Sequence, residues 1–221
     1  DHASAQLREL NLGATAVGTG LNAGEDYTAQ AIGNLARYTG FALIPAANRF
    51  RVTQSMGDVL AYSGAMRRLA VELCKVASDL RLLSMGPRAG IAELALPAVQ
   101  PGSSIMPGKV NPSVPEMVNQ VCYQVIGCDM TICAAAEAGQ LELNVMMPGM
   151  AFALCFSATI LTNATRIFRE RCVEGMRVDS QRAKELLDAS PSLLVTVMAS
   201  IESACHACIR TAASPAGRAR T

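Results

Sequence analysis

Between residues 55 and 83 the apolar positions Val59, Ala65, Met66, Leu69, Leu73, Val76, Leu80 and Leu83 recur at near-helical spacing, with Arg67, Arg68, Lys75 and Arg81 between them. This pattern predicts a long amphipathic helix, and Gly86 and Pro87 are its stop signals. A second long helix is expected from about 115 to 145. Pro115 suits its first turn, Glu116 complements the helix dipole, and Val118, Val121, Cys122, Val125 and Ile126 form its apolar stripe. Pro148 marks the next break, and a third helix is expected over 149 to 171. No charged residue occurs from Leu143 to Thr165, which is long enough to raise a membrane span. Pro148, Gly149, Ser157, Thr159, Thr162 and Asn163 interrupt the run, so the reading is a helix buried on all sides within a bundle, with no membrane partner.

Shorter elements fill the remainder. Residues 1 to 10 read as the last turns of a helix, and the chain is expected to be a partial sequence that begins inside a pattern. "NLGATAVGTGLN" carries Gly13, Gly18 and Gly20, but neither the spacing nor a Gly-Lys-Ser/Thr ending fits a phosphate loop, so close backbone packing or a site-lining turn is expected. A short helix is predicted near 26 to 39, and a short polar helix follows a turn after Cys172, with Ser180 as its N-cap. Helices of about 30 residues span roughly 45 Å, and so long an apolar surface needs several partners. A bundle assembled from several subunits meets that need.

Composition narrows the class. The 221 residues are 51% hydrophobic and 17% charged, enough for a sizeable core; aromatics make up only 4%, with no Trp, which suits closely packed helices and an all-α fold. A net charge of +1 and no basic run argue against a nucleic-acid partner. Four of the eight cysteines, Cys74, Cys122, Cys133 and Cys155, sit inside apolar helical stretches and read as buried free thiols of a cytoplasmic protein. The Cys205–Cys208 pair stands alone, and with His2 and His206 as the only histidines no metal site and no cofactor is expected.

The chemistry concentrates in "PGSSIMPGKVNP", residues 101 to 112, between two long helices. A Gly/Pro-rich loop can close over a site and turn its backbone N–H groups toward an anion. Lys109 adds a positive charge and Asn111 a neutral donor and acceptor, a combination suited to a carboxylate. Ser103 and Ser104 are the loop's only proton-transfer groups, and oriented amides with a nearby cation could stabilise a serine alkoxide. On composition alone a plain helix–helix connection is the favoured reading.

The stretch resembles the GSSxMPxKxN signature of the aspartase/fumarase superfamily, matched without a gap by Gly102, Ser103, Ser104, Ile105, Met106, Pro107, Gly108, Lys109, Val110 and Asn111. "LGATAVGTGLN", "LRLLSMGPRAGI" and "AEAGQLELNVMMP" are similar to the family in the same order, so the resemblance covers residues 1 to about 178. It implies a long-helix bundle whose central helices pack in a homotetramer, with each active site shared between subunits. It implies elimination from a succinyl-type dicarboxylate to give fumarate through an aci-carboxylate. Ser103 would be the base, Lys109 and Asn111 would hold substrate carboxylate, and Gly102, Ser104, Met106, Pro107, Gly108 and Glu116 would support the loop. "VPEMVNQVCYQVIGCDMT" and "AAEAGQLELNVM" resemble the aspartate ammonia-lyase form, with class II fumarate hydratase as the alternative.

Two departures qualify the resemblance. The family's two earlier substrate-binding regions have no counterpart here, and after "LLDAS" the sequence leaves the family pattern. The expected division is therefore a central helical lyase domain over 1 to 178 and the truncated or divergent start of a small C-terminal domain over 179 to 221. The chain alone is expected to be inactive, and a helical oligomerisation core without activity is the reading from another class. Outside the loop, Glu116 is expected to cap its helix or pair with Lys109, and Arg88 to bind loop carbonyls. Glu137 and Glu142 are expected to make hydrogen bonds inside the bundle.

Overall fold

The computed structural model describes residues 2–86, 88–106 and 108–190. Pro87, Pro107, the Cys205–Cys208 pair, His206 and the divergent sequence after 190 lie outside the described residues. The chain divides into two compact units, one formed by Asp1–Leu82 with Leu96–Met176, the other by Leu83–Ala95 with the chain from Arg177 onward.

The first unit is mainly helical. It starts with α1 (His2–Gln6), and β1 (Glu9–Leu10) then pairs in parallel with β2 (Ile44–Pro45) across α2 (Glu25–Thr39). A short helix the periodicity did not announce, α3 (Arg49–Gln54), starts where the Asn48 side chain accepts a hydrogen bond from the Arg51 amide at 3.0 Å. Three long helices follow: α4 (Gly57–Leu83), α5 (Ser113–Glu137) and α6 (Met147–Phe168). A π-helical turn over Arg169–Val173 extends the last of them.

Small side chains let the long helices approach closely. The seam of α4 is Ser63, Met66, Ala70, Ala77 and Leu80; that of α6 is Met150, Ala153, Ser157, Leu161, Ala164 and Phe168. Polar contacts fix the direction of α4 against α5, because Ser63 meets Asp129 while Cys74 and Ser78 meet Asn119, so the two run antiparallel. Helix α6 turns back along α5. Met150 and Ala153 pack with Ile132 and Cys128, and further along Phe156 and Ile160 share a groove with Met117, Val121 and Gln124.

Helix α5 stops at Glu137, earlier than the 145 its sequence predicts, because Asn144 intervenes. Its fully buried amide nitrogen donates to the carbonyls of Ala135 and Ala136 at 3.0 and 3.2 Å, while its Oδ1 accepts from the Met146 amide at 2.8 Å. One side chain thus satisfies carbonyls near the end of one helix and an amide at the start of the next. Glu137 and Glu142 are exposed and make none of the expected internal bonds among the described residues, where Asn144 makes them instead.

The third helix is not buried on all sides within this chain. Met147–Val173 is long and apolar enough to cross a membrane by length and composition, and only 28% of its most apolar stretch is covered. Phe152 is 71% exposed and stacks on Phe156 with ring centres 5.9 Å apart. Leu69, Val71 and Val76 of α4 and Tyr123 and Met130 of α5 are likewise exposed. In α4 the chain's own core takes Ser63, Met66, Ala70, Ala77 and Leu80, while Leu69, Val71 and Val76 face outward.

In the second unit, β3 (Leu94–Ala95) pairs antiparallel with β4 (Arg177–Val178), and α7 (Ser180–Asp188) follows. The cap of α7 is Asp179, not Ser180: its carboxylate accepts from the Arg182 amide at 2.9 Å. Arg182 also donates to the carbonyls of Ile91 and Gly90 at 3.0 and 3.1 Å, the role sequence reasoning gave to Arg88, which is exposed.

Candidate functional site

The 101–112 loop closes on itself at its neck. Gly102 lies so near the Lys109 carbonyl that any Cβ there would overlap the oxygen, which is why the position takes no side chain. Gly108 turns the chain at φ +79°, and the Lys109 amide donates to the Met106 carbonyl at 3.2 Å. Ser103 is half-buried, and its hydroxyl accepts from the Ile105 amide at 3.3 Å. Ser104 is exposed, as are Met106 and the 84%-exposed Ile105. A loop of this kind, apolar at its tip and open to solvent, presents its polar groups without filling its own interior.

One side-chain and one backbone hydrogen bond tie the loop's end to α5. Gln100 donates to the Ser113 hydroxyl at 2.5 Å, and the Asn111 carbonyl accepts from the Ser113 amide at 2.8 Å. Asn111 is half-buried and Lys109 exposed, and Lys109 makes no ion pair among the described residues. Glu116 lies in the first turn of α5, where its carboxylate opposes unpaired helix amides. Its cation is Arg81, 3.9 Å away, and not Lys109.

Sequence reasoning missed the residue beneath this arrangement. Asn119 is 2% exposed, accepts from Arg81 at 3.1 Å, and donates to the Cys74 carbonyl at 3.0 Å and the Ser78 hydroxyl at 3.2 Å. The available signal was an amide beside Val118 within a buried stripe, where an unsatisfied polar group would cost roughly 1–3 kcal/mol. A second buried polar layer joins α4 and α5 one end further: Ser63 donates to Asp129 at 2.6 Å, and Arg67 lies 3.2 Å from the other carboxylate oxygen.

The glycine-rich stretch near the N-terminus packs closely, as expected. Gly18 has φ +98°, and a Cβ there would stand 2.7 Å from the Phe50 backbone. Thr15 and Val17 take φ +50°, which is strained for β-branched residues. Nearby, Arg51 reaches Glu9 at 2.9 Å and Asp58 at 3.2 Å. Burial opposes the Arg51 charge, yet the Asp58 and Glu9 carboxylates together hold its pKa above the ordinary value.

The described cysteines are free thiols. Cys122 and Cys172 are buried, Cys74 and Cys133 partly so, and Cys155 is exposed, contrary to the expectation for it. Desolvation first, and the neighbouring Cys74 second, push the Cys122 thiol up to about 11, so it is neutral and unreactive near pH 7.

Residues 2–127, which include the whole loop, match the model of the family described as lyase. The chain belongs to this lyase family. Within it the sequence is 50% identical to aspartate ammonia-lyase of Pseudomonas fluorescens over 191 residues, 86% of this chain and 40% of the relative. A solved structure of fumarate lyase:delta crystallin from Brucella melitensis, bound to cobalt, superposes with a TM-score of 0.84 at 48% identity, covering 87% of this chain and 42% of that one. Recombinant class II fumarase from Schistosoma mansoni superposes with a TM-score of 0.76 at 36% identity, covering 83% and 42%. The lyase-family chain thus spans about 40% of the length of the curated relative it matches. Its long-helix fold is that of the aspartase/fumarase superfamily.

Proposed function

We propose that residues 101–112 form the catalytic loop of an aspartate ammonia-lyase. The observation carrying this reading is a gap-free lyase signature on a loop whose neck is closed by Gly102 and whose Lys109 has no carboxylate partner among the described residues. In this reading Lys109 and Asn111 hold a carboxylate of L-aspartate. Ser103, as an alkoxide stabilised by the Ile105 amide and a nearby cation, removes the proton from the carbon beside that carboxylate. The electron pair moves into the carboxylate to give an aci-carboxylate. It then returns to form the carbon–carbon double bond, while the ammonium group leaves as ammonia with the C–N pair. The proton on Ser103 passes to solvent, and fumarate is released.

The same reading makes 1 to 178 a central lyase domain and 179 to 221 the start of a small C-terminal one. The exposed apolar stripes of α4, α5 and α6 pack between subunits of a cytoplasmic homotetramer, and neighbouring subunits complete each site. Residues 1–221 expressed by themselves are expected to lack activity, because one loop cannot orient a dicarboxylate.

Identity to aspartate ammonia-lyase exceeds identity to class II fumarase, which favours ammonia over water as the leaving group. The test is fumarate formation by the product of the full gene from L-aspartate and from L-malate. A kcat/KM for aspartate at least about 100-fold above that for malate is expected, a difference of roughly 2.7 kcal/mol. Preference for malate would make it a fumarase, and no turnover of either would leave an oligomerisation core.

A further inference from the structure

We infer that Arg182 of α7 is a positioning residue for the 101–112 loop, acting by holding the segment that leads into it. The inference rests on the reading of that loop as the catalytic one. On its C-terminal side the loop runs straight into α5 at Ser113, so that side is anchored by a helix of 25 residues. No helix adjoins its N-terminal side: among the described residues, the chain from 84 to 101 contains only the two-residue strand β3. A loop fixed at one end alone pivots about it, so the placement of Ser103 and Lys109 depends on what holds residues 90 to 100.

Those residues are tied at short intervals, and one side chain holds two adjacent carbonyls. Arg182 Nε donates to the Ile91 carbonyl at 3.0 Å and Nη2 to the Gly90 carbonyl at 3.1 Å. Its third nitrogen, Nη1, lies 3.6 Å from Glu185 Oε2 on the same helix, so each guanidinium nitrogen has a partner and the plane of the fork is set. The Asp179 carboxylate accepts from the Arg182 amide at 2.9 Å, which fixes where the side chain starts. Ala92, next to the two carbonyls, takes φ +54°, a left-handed conformation that a residue with a Cβ keeps only where its surroundings impose it. The Glu93 carbonyl then accepts from the Asp179 amide at 2.8 Å, and Leu94–Ala95 pair with β4. Past Ala95 the chain enters the first unit, where Pro97 lies against Gly175, whose Cβ would stand 2.6 Å from the proline ring, and Gln100 bonds Ser113. Ser103 is eight residues beyond Ala95. The backbone pairings need no particular side chain; the fork on Gly90 and Ile91 needs an arginine.

Limited proteolysis of the full-gene product tests the holding role without requiring turnover. Arg88 and Lys109 are exposed and flank the held segment, and trypsin cuts after each in proportion to the population in which the surrounding chain is loose. Arg182→Ala should speed both cuts about fivefold, read by peptide mass spectrometry, while cutting after Arg67 and Lys75 of α4 stays at the wild-type rate. Arg182→Lys keeps the charge but reaches one carbonyl at a time, so it should speed them about twofold. Glu185→Gln leaves both carbonyl bonds in place and should be cut like the wild type. Unchanged cutting at Arg88 and Lys109 in Arg182→Ala would overturn the inference. Equal acceleration at Arg67 and Lys75 would overturn it too, because it reports general loosening. Should Arg182→Ala fail to fold, Arg182→Lys decides alone, and cutting at the wild-type rate in that variant overturns the inference.

Kinetics separate this inference from the function it rests on. In Arg182→Ala, substrate that grips Lys109 and Asn111 must draw the loop back into place, so KM for aspartate should rise about fivefold with kcat within about twofold of wild type. A variant that is merely less stable loses active enzyme, which lowers kcat at constant KM; that result would overturn the inference. If the wild type forms no fumarate, or Ser103→Ala keeps a normal kcat, the catalytic-loop reading fails, and the trypsin cuts still decide whether Arg182 holds the loop. If Ser103→Ala loses kcat while Arg182→Ala keeps the wild-type KM, only the positioning role fails.

Discussion

Cys122 is fully buried between neighbours on the α5 stripe, and its effect on stability follows from its raised pKa of about 11. In the unfolded chain a thiol ionises near 8.5, so above that pH the unfolded state binds fewer protons than the folded one. The stabilisation is complete below the unfolded pKa and is lost as pH rises through the folded value. Stability should therefore fall between about pH 8.5 and 11 by roughly 3 kcal/mol, read as a denaturant midpoint at each pH, and Cys122→Ala should remove most of that slope. A slope unchanged by Cys122→Ala would mean other groups govern the alkaline limb. Cys172, raised by burial, contributes in the same direction. At this scale the sequence named candidate residues but not what they touch. Glu116 was expected to cap its helix or pair with Lys109; it does lie in the first helical turn, but its cation is Arg81, because the choice depends on a helix 35 residues earlier.

Helix α5 and the turn after it show where periodicity stops being informative. The apolar stripe Val118, Cys122 and Val125 is buried as its spacing predicts. The stripe continues to the eye past Glu137, yet the helix ends there because Asn144 binds the carbonyls of Ala135 and Ala136. A side-chain cap from nine residues downstream leaves no trace in hydrophobic spacing. Asn144→Ala should leave those carbonyls and the Met146 amide without their partner and cost about 1–3 kcal/mol, measured by thermal or chemical unfolding. Asn144→Asp should not rescue, because it keeps the acceptor for Met146 but loses the donor to the carbonyls. A loss below about 0.3 kcal/mol would show that water replaces the side chain. The cap of α7 teaches a related lesson: Asp179 and Ser180 are both good N-caps by type, and only the backbone at Asp179 puts a side chain on the Arg182 amide.

Over the whole chain, the sequence indicated long helices but not which of two apolar stripes on each would meet its own chain. In α4 the buried seam is built from Ser63, Met66, Ala70, Ala77 and Leu80, while Leu69, Val71 and Val76 remain outside. Ser63, Ala70 and Ala77 permit close approach within the bundle, and in the proposed assembly the exposed Leu69, Val71 and Val76 pack against another copy of the chain. The full-gene product should therefore elute as a tetramer by light scattering at micromolar concentration; a stable monomer would contradict the assembly. The central claim, that the 101–112 loop performs serine-base elimination, is tested most directly by fumarate release from L-aspartate in wild type and in Ser103→Ala, both first verified to share the same helicity and assembly. Ser103→Ala should lower kcat by about three orders of magnitude or more with little change in KM, while Ser104→Ala retains most activity. Near-normal kcat in Ser103→Ala would contradict the account.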